Sequence, residues 1–237
     1  LQGAIGTIGL MNQIAFNALA ITVFAMTMFG LIGPMVNISP VYPAIATFGL
    51  LGLYTLDNFG WQGKGSTILL DWLATLSPEH RSRVVRHEAG HFLVARLFDI
   101  PVSGYALTAW EALRQGYPGQ GGVQFADDRL NAQVRQGQIS GHRLNQYCTV
   151  WMAGIAAETL VYDDAQGGGD DRRYLQSVLA QLRFPIEAIP QRERWATLQA
   201  KTLLQAHWSA YEALVEAMGN RASVEECDRA VAQSANL

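Results

Sequence analysis

The sequence predicts a mainly α-helical protein with a small β-sheet, set behind an N-terminal transmembrane helical hairpin, and three observations carry that expectation. Residues 1–56 contain no Asp, Glu, Lys, Arg or His, so Asp57 is the first charge. From residue 78 onward, apolar residues recur at helical spacing through several long stretches. Only 102–107 and 121–125 have strand character, and a Gly/Pro/Gln-rich loop at 115–120 separates them. At 237 residues and a formal charge of −3, the chain is long enough for one ordinary domain plus an appendage. It has no basic excess to attract nucleic acid. The expected division is a membrane hairpin and linker over 1–66 and a folded domain over 67–237.

Taken in order, residues 8–33 are long enough to span a hydrocarbon core of about 30 Å, with Asn12, Gln13 and Asn17 as the strongly polar interruptions. Gly33-Pro34 and the stretch from Asn37 to Pro40 read as a turn. A second span follows over 41–59, with Tyr54, Phe59 and Trp61 as aromatic residues for the headgroup level, so the lipid bilayer is the first expected partner. A cleaved signal peptide fits less well, because its apolar region is about 7–15 residues and follows a basic start. Gly63-Lys64 superficially suggests a phosphate-binding loop. The pattern fails, since Asn58 and Gly65 stand where Gly and Ser or Thr are required, and no ATP site is expected. Residues 60–67 read as a flexible linker, and 68–76, with Asp71 and Trp72, fits either a membrane surface or the underside of the domain.

The next element is a helix expected over 78–98. Ser77 suits its N-cap, Pro78 its first position and Glu79 its positive end, while Val84, Val85, Phe92, Leu93, Val94 and Leu97 give it apolar faces until Pro101 stops it. It carries His87-Glu88-Ala89-Gly90-His91, an H-E-x-x-H pattern. Residues four apart share a helix face, so His87 and His91 can offer two imidazoles to one Zn2+ ion, with Glu88 beside them to receive a proton. Gly90 costs about 1 kcal/mol against Ala inside a helix, which predicts a neighbouring backbone packed closely against it. Arg81, Arg83, Arg86 and Arg96 on the same helix place the motif in water rather than at membrane depth. His80 lies seven residues, or about 10.5 Å of helix, before His87 and is too distant to share the ion. His142 and His207 have no ligand-spaced partner and read as surface residues.

A long helix is expected over 140–162, with Leu144, Tyr147, Cys148, Trp151, Met152, Ile155, Ala156 and Leu160 as its apolar face. It leads into 163–172, which holds Asp163, Asp164, Asp170 and Asp171 around three consecutive glycines. The glycines permit a tight turn that brings one carboxylate inward as a third metal ligand. Helices over 191–218 and 223–233 close the chain, the last opened by a Ser223/Glu226 capping box. Cys148 and Cys227 form neither a zinc cluster nor a disulfide framework, which is compatible with a reducing compartment.

Three stretches now combine: His87-Glu88-Ala89-Gly90-His91; Gly121-Gly122-Val123-Gln124-Phe125; and Met152 to Glu158 followed by Gly167-Gly168-Gly169-Asp170-Asp171. Together they resemble the peptidase domain of the FtsH-type membrane-anchored zinc proteases, and still more closely short relatives of cyanobacteria and chloroplasts that lack the ATPase. The resemblance covers roughly residues 78–235 and implies a zincin-like helical peptidase domain. It also implies Asp171 as the third zinc ligand, a supporting role for Glu158, and Glu88 as the catalytic base. Asp170 stands where the family usually has Asn, which leaves it as a rival ligand. No ATPase module precedes the motif, so ATP-driven unfolding does not carry over. The activity implied is zinc-dependent, ATP-independent hydrolysis of protein or peptide substrates near a membrane surface, with the substrate added as a strand beside 121–125. The location implied is a thylakoid or plasma membrane of a photosynthetic organism. The alternative is an inactive scaffold or assembly factor that keeps the peptidase fold within a larger membrane complex.

Overall fold

The computed structural model describes residues 5–37, 39, 41–60, 65, 68, 74, 77–117, 121–126 and 128–235. It is mainly helical with one two-stranded antiparallel sheet, as the sequence predicts.

Two helices open the chain, α1 (Ile5–Ile32) and α2 (Val41–Gly60), joined by a 3-10 turn at Gly33–Val36 that Asn37 ends in the left-handed region at φ 59°. They touch where the Thr47 hydroxyl lies 2.8 Å from the Met26 sulfur and also donates to the Pro43 carbonyl. Phe24, Leu31, Phe48, Leu53 and Leu56 are largely exposed along them. Among the described residues, however, no helix is long and apolar enough to cross a membrane. In α2, Tyr42, Pro43 and Asp57 interrupt the apolar sequence. The expected spans at 8–33 and 41–59 are therefore not supported by what is described. Most of 61–76 lies outside the described residues.

The domain is built around α3 (Pro78–Leu97), which packs against both strands and four later helices. Its start follows the expected caps: the Ser77 side chain accepts from the His80 backbone N–H, and Pro78 and Glu79 fill the first turn. Ala89, Phe92, Leu93, Val94 and Ala95 are fully buried along it. The sheet pairs β1 (Val102–Ala106) with β2 (Gly122–Phe125), Val102 opposite Phe125 and Ala106 opposite Gly122, with an irregularity between Val102 and Gly104. Between the strands lies α4 (Ala109–Gln115), capped by Thr108 and ended by Gly116 at φ 73°. The chain then continues through α5 (Asp128–Gln136), α6 (Gly141–Trp151), α7 (Ala153–Tyr162), α8 (Gly169–Gln181), α9 (Ile189–Ala206), α10 (Trp208–Gly219) and α11 (Val224–Ala235).

Two expected helices are each divided. The 140–162 stretch breaks at Met152, because the Val150 carbonyl accepts a hydrogen bond at 2.7 Å from the His91 imidazole, a side chain entering the backbone ladder. The 191–218 stretch breaks at His207, which takes φ −116° and ψ 37° between α9 and α10. Helices α4, α5 and α8 were not expected from the sequence.

The core gathers Tyr147, Met152, Leu175, Leu179, Leu204, Tyr211, Leu214 and Met218, all fully buried. Each buried leucine stabilises the fold by about 2 kcal/mol through apolar area removed from water. Both cysteines are buried and unpaired, in line with the absence of a disulfide framework. Burial pushes the Cys148 thiol up to about 11, so it behaves as a small apolar core residue. The expected capping box forms: the Ser223 backbone N–H donates to Glu226, whose own N–H donates to the Ser223 hydroxyl.

Candidate metal centre

Helix geometry places His87 and His91 one turn apart on the buried face of α3, their rings edge to face with centroids 4.8 Å apart. Their Nε2 atoms lie 3.0 Å from each other. The third group is Asp171, in the first turn of α8, whose Oδ2 is 3.0 Å from His87 Nε2 and 3.5 Å from His91 Nε2. A negative side chain also favours the positive end of that helix.

The other ring nitrogens are committed elsewhere. His91 Nδ1 donates to the Val150 carbonyl at 2.7 Å, and His87 Nδ1 lies 2.7 Å from Glu158 Oε1. With Nδ1 as the donor on each ring, both Nε2 atoms present lone pairs, and Asp171 Oδ2 adds a third. Three acceptors converging this closely call for a cation between them. Ligand atoms held 2.0–2.1 Å from a tetrahedral ion would stand about 3.3 Å apart. The observed edges of 3.0, 3.0 and 3.5 Å match that spacing, so His87, His91 and Asp171 can hold a metal ion.

Electrostatics agree with the geometry. Burial would lower the pKa of His87, yet the hydrogen bonds to Asp171 and Glu158 outweigh it and hold the imidazole well above its usual value. His91 is likewise raised, burial opposing and the Asp171 carboxylate prevailing. Burial would raise Asp171, but the two imidazoles hold its carboxyl well below the usual carboxylate range. The cluster attracts positive charge, and a metal ion would displace protons to bind there.

Glu158 ties the centre to its surroundings. Its buried carboxylate accepts from the Gln166 and Gly167 backbone N–H groups at 2.9 and 3.0 Å while facing His87, so one side chain joins α7, the Gly-rich turn and α3. Burial alone would raise its pKa, but His87 and those N–H groups hold it low. Arg83 stands 3.6 Å away, donates to Asp164 at 2.9 Å and lies over the Tyr162 ring.

Glu88 occupies the opposite side, half-buried, and accepts from the Val123 backbone N–H at 3.0 Å. Burial raises its carboxyl above the ordinary value, with the two imidazoles pulling the other way. Because Val123 spends its N–H on Glu88 rather than on β1, the outer edge of β2 faces the centre.

Asp170 points away, exposed and paired with Arg173, although it is adjacent in sequence to Asp171. One residue is a turn of about 100° on a helix, enough to separate the inward from the outward carboxylate. His142 is exposed and His207 half-buried, and neither belongs to the cluster.

Sequence reasoning missed the glycine bed beneath the ligands. Gly90 was expected to meet a backbone, and a Cβ there would stand 2.6 Å from the Ala153 carbonyl. The unforeseen ones are Gly154, where a Cβ would overlap the His87 ring, and Gly167, where it would overlap the Glu158 carboxylate. Gly168, at φ 83°, would collide with Ile155. Consecutive glycines at 167–169 signalled only a turn, and nothing in the sequence announced that two of them line the centre.

No protein-family model matches the chain, and no curated protein matches it.

Proposed function

We propose that this protein is a zinc metallopeptidase of the FtsH-like, zincin-like kind, acting on protein or peptide substrates and held at a membrane by its N-terminal hairpin. The observation that carries the reading is the convergence of His87, His91 and Asp171 with Glu88 set against the edge of β2. The donor set, two neutral imidazoles and one carboxylate, suits zinc and leaves a fourth position for a reacting group. Zinc bound there would supply Lewis acidity, activating water near neutral pH and polarising a peptide carbonyl.

The remaining work falls to the chain's own groups. Glu88, with its raised pKa, is suited to accept a proton from water and return it to the leaving amine. The Val123 N–H holds that carboxylate in place. An extended peptide added along the outer edge of β2 would lie beside Glu88, main-chain hydrogen bonds giving it purchase. Glu158 and the Val150 carbonyl fix the imidazole orientations, so that both Nε2 atoms converge with Asp171 where they would hold a metal ion. The membrane attachment rests on the charge-free residues 1–56 and the exposed apolar side chains of α1 and α2. A photosynthetic membrane follows only from the resemblance.

The test is cleavage of an unfolded protein such as casein by the full chain in neutral detergent. Expected is cleavage that a strong zinc chelator abolishes and added zinc restores. Cleavage indifferent to the chelator would remove the metal from the mechanism. Zinc bound without cleavage of any substrate, together with co-purification of a membrane complex, would favour the scaffold reading instead.

A further inference from the structure

Beyond the metal centre, the other face of α3 lines a cleft of about 560 Å³ whose far wall is the C-terminal end of α10. Its lining is unlike the metal site: Arg81, Arg86 and Arg221 stand over an apolar floor that includes Val85 and Leu107, and Thr108 borders it. These cations are not equally occupied. Arg86 spends both terminal nitrogens on Glu212, at 2.7 and 3.3 Å. Arg221 lines the cleft and pairs its Nε with Glu111 at 2.7 Å, and its two terminal nitrogens have no partner among the described residues. Arg81 is exposed and has no side-chain partner among the described residues. Three guanidinium groups line the cleft, and two carboxylates, Glu212 and Glu111, pair with two of them, which leaves the cleft one positive charge in excess among the described residues.

We propose that this cleft is a carboxylate-binding subsite that makes the protein prefer acidic peptide segments, an inference that rests on the peptidase reading and names its substrate class. Guanidinium forks match a carboxylate with paired, charge-assisted hydrogen bonds, and the apolar floor suits the aliphatic part of a peptide. Position favours a peptide. Thr108 borders the cleft and also approaches Gly121, whose Cβ would stand 3.6 Å from the Thr108 carbonyl, and Gly122 beside it faces Glu88. The cleft thus adjoins the end of β2 where a peptide added along that strand would enter or leave. A polyanion fits poorly, because the chain as a whole carries −3 and offers no extended basic field. The carboxylate has two sources, an acidic side chain or a peptide's C-terminus.

Fluorescence anisotropy on the full-length Glu88→Gln protein in neutral detergent separates them. Three labelled decapeptides are compared: a Glu-containing one with an amidated C-terminus, its Gln counterpart with an amidated C-terminus, and the Gln counterpart with a free one. At least one carboxylate-bearing peptide should bind roughly fivefold or more tighter than the neutral one, and which of the two does so identifies the source. Arg81→Gln/Arg221→Gln should close that gap, with metal content reporting that the variant still folds. Equal binding of all three, or a gap that survives the double variant, overturns the proposal. So does an absent peptide gap alongside an arginine-dependent preference for anionic over neutral lipid vesicles. Loss of the peptide gap with casein cleavage intact would retire the subsite alone, whereas an intact gap without cleavage of any substrate would retire only the peptidase reading.

Discussion

Glu88→Gln will retain about one zinc ion per chain and lose proteolysis by at least about 10³-fold, the scale expected when a positioned base is removed. The substitution is nearly isosteric. Its amide oxygen can still accept from the Val123 N–H, so the edge of β2 and the half-buried side chain stay in place. What the amide cannot do is take a proton at neutral pH. Metal binding survives because His87, His91 and Asp171 are untouched. Zinc content measured beside the turnover rate checks the prediction, and near-normal cleavage with full zinc would take Glu88 out of the base role.

The second large effect comes from a residue that contacts no substrate. Gly154→Ala will cost about 10- to 100-fold in zinc affinity, because the new methyl occupies the space of the His87 ring. Relaxation by helix separation is closed off. At Gly90, α3 already approaches α7 so nearly that a Cβ there would stand 2.6 Å from the Ala153 carbonyl and 2.9 Å from the Ala157 Cβ. The imidazole must therefore tilt, which breaks its 2.7 Å contact with Glu158 and moves Nε2 away from Asp171. Overpacking adds an expected destabilisation of about 1–3 kcal/mol. Competition with a chromophoric chelator, alongside a thermal melt, separates the two effects; wild-type affinity in the folded variant would exclude His87 as a ligand.

These residues also show what a sequence can and cannot disclose. The metal-helix was legible because its signals are local: Ser77, Pro78 and Glu79 mark the start, and His87, Glu88 and His91 follow from helical periodicity. Gly90 was legible for the same reason, since a glycine inside a helix costs stability and needs a packing cause. The break at Met152 was not, because neither Gly nor Pro marks it; it arises where His91 captures a carbonyl 59 residues away. The choice between Asp170 and Asp171 depends on the phase of α8, a short helix with an αL glycine at its N-cap and no polar capping side chain to set its register in advance. The N-terminal stretch gives the opposite lesson. Its freedom from charge predicted spanning helices, and helices are found, yet among the described residues no helix is long and apolar enough to cross a membrane.

The proposed chemistry depends first on His87, His91 and Asp171 sharing a metal ion. The most direct measurement is elemental analysis of the purified full chain beside Asp171→Ala, both supplied with zinc and then freed of loosely bound metal. Expected is about one zinc per chain in the native protein and little or none in the variant, whose two imidazoles alone make a weak site. Zinc absent from the native protein, or equally retained after Asp171 is removed, would contradict it.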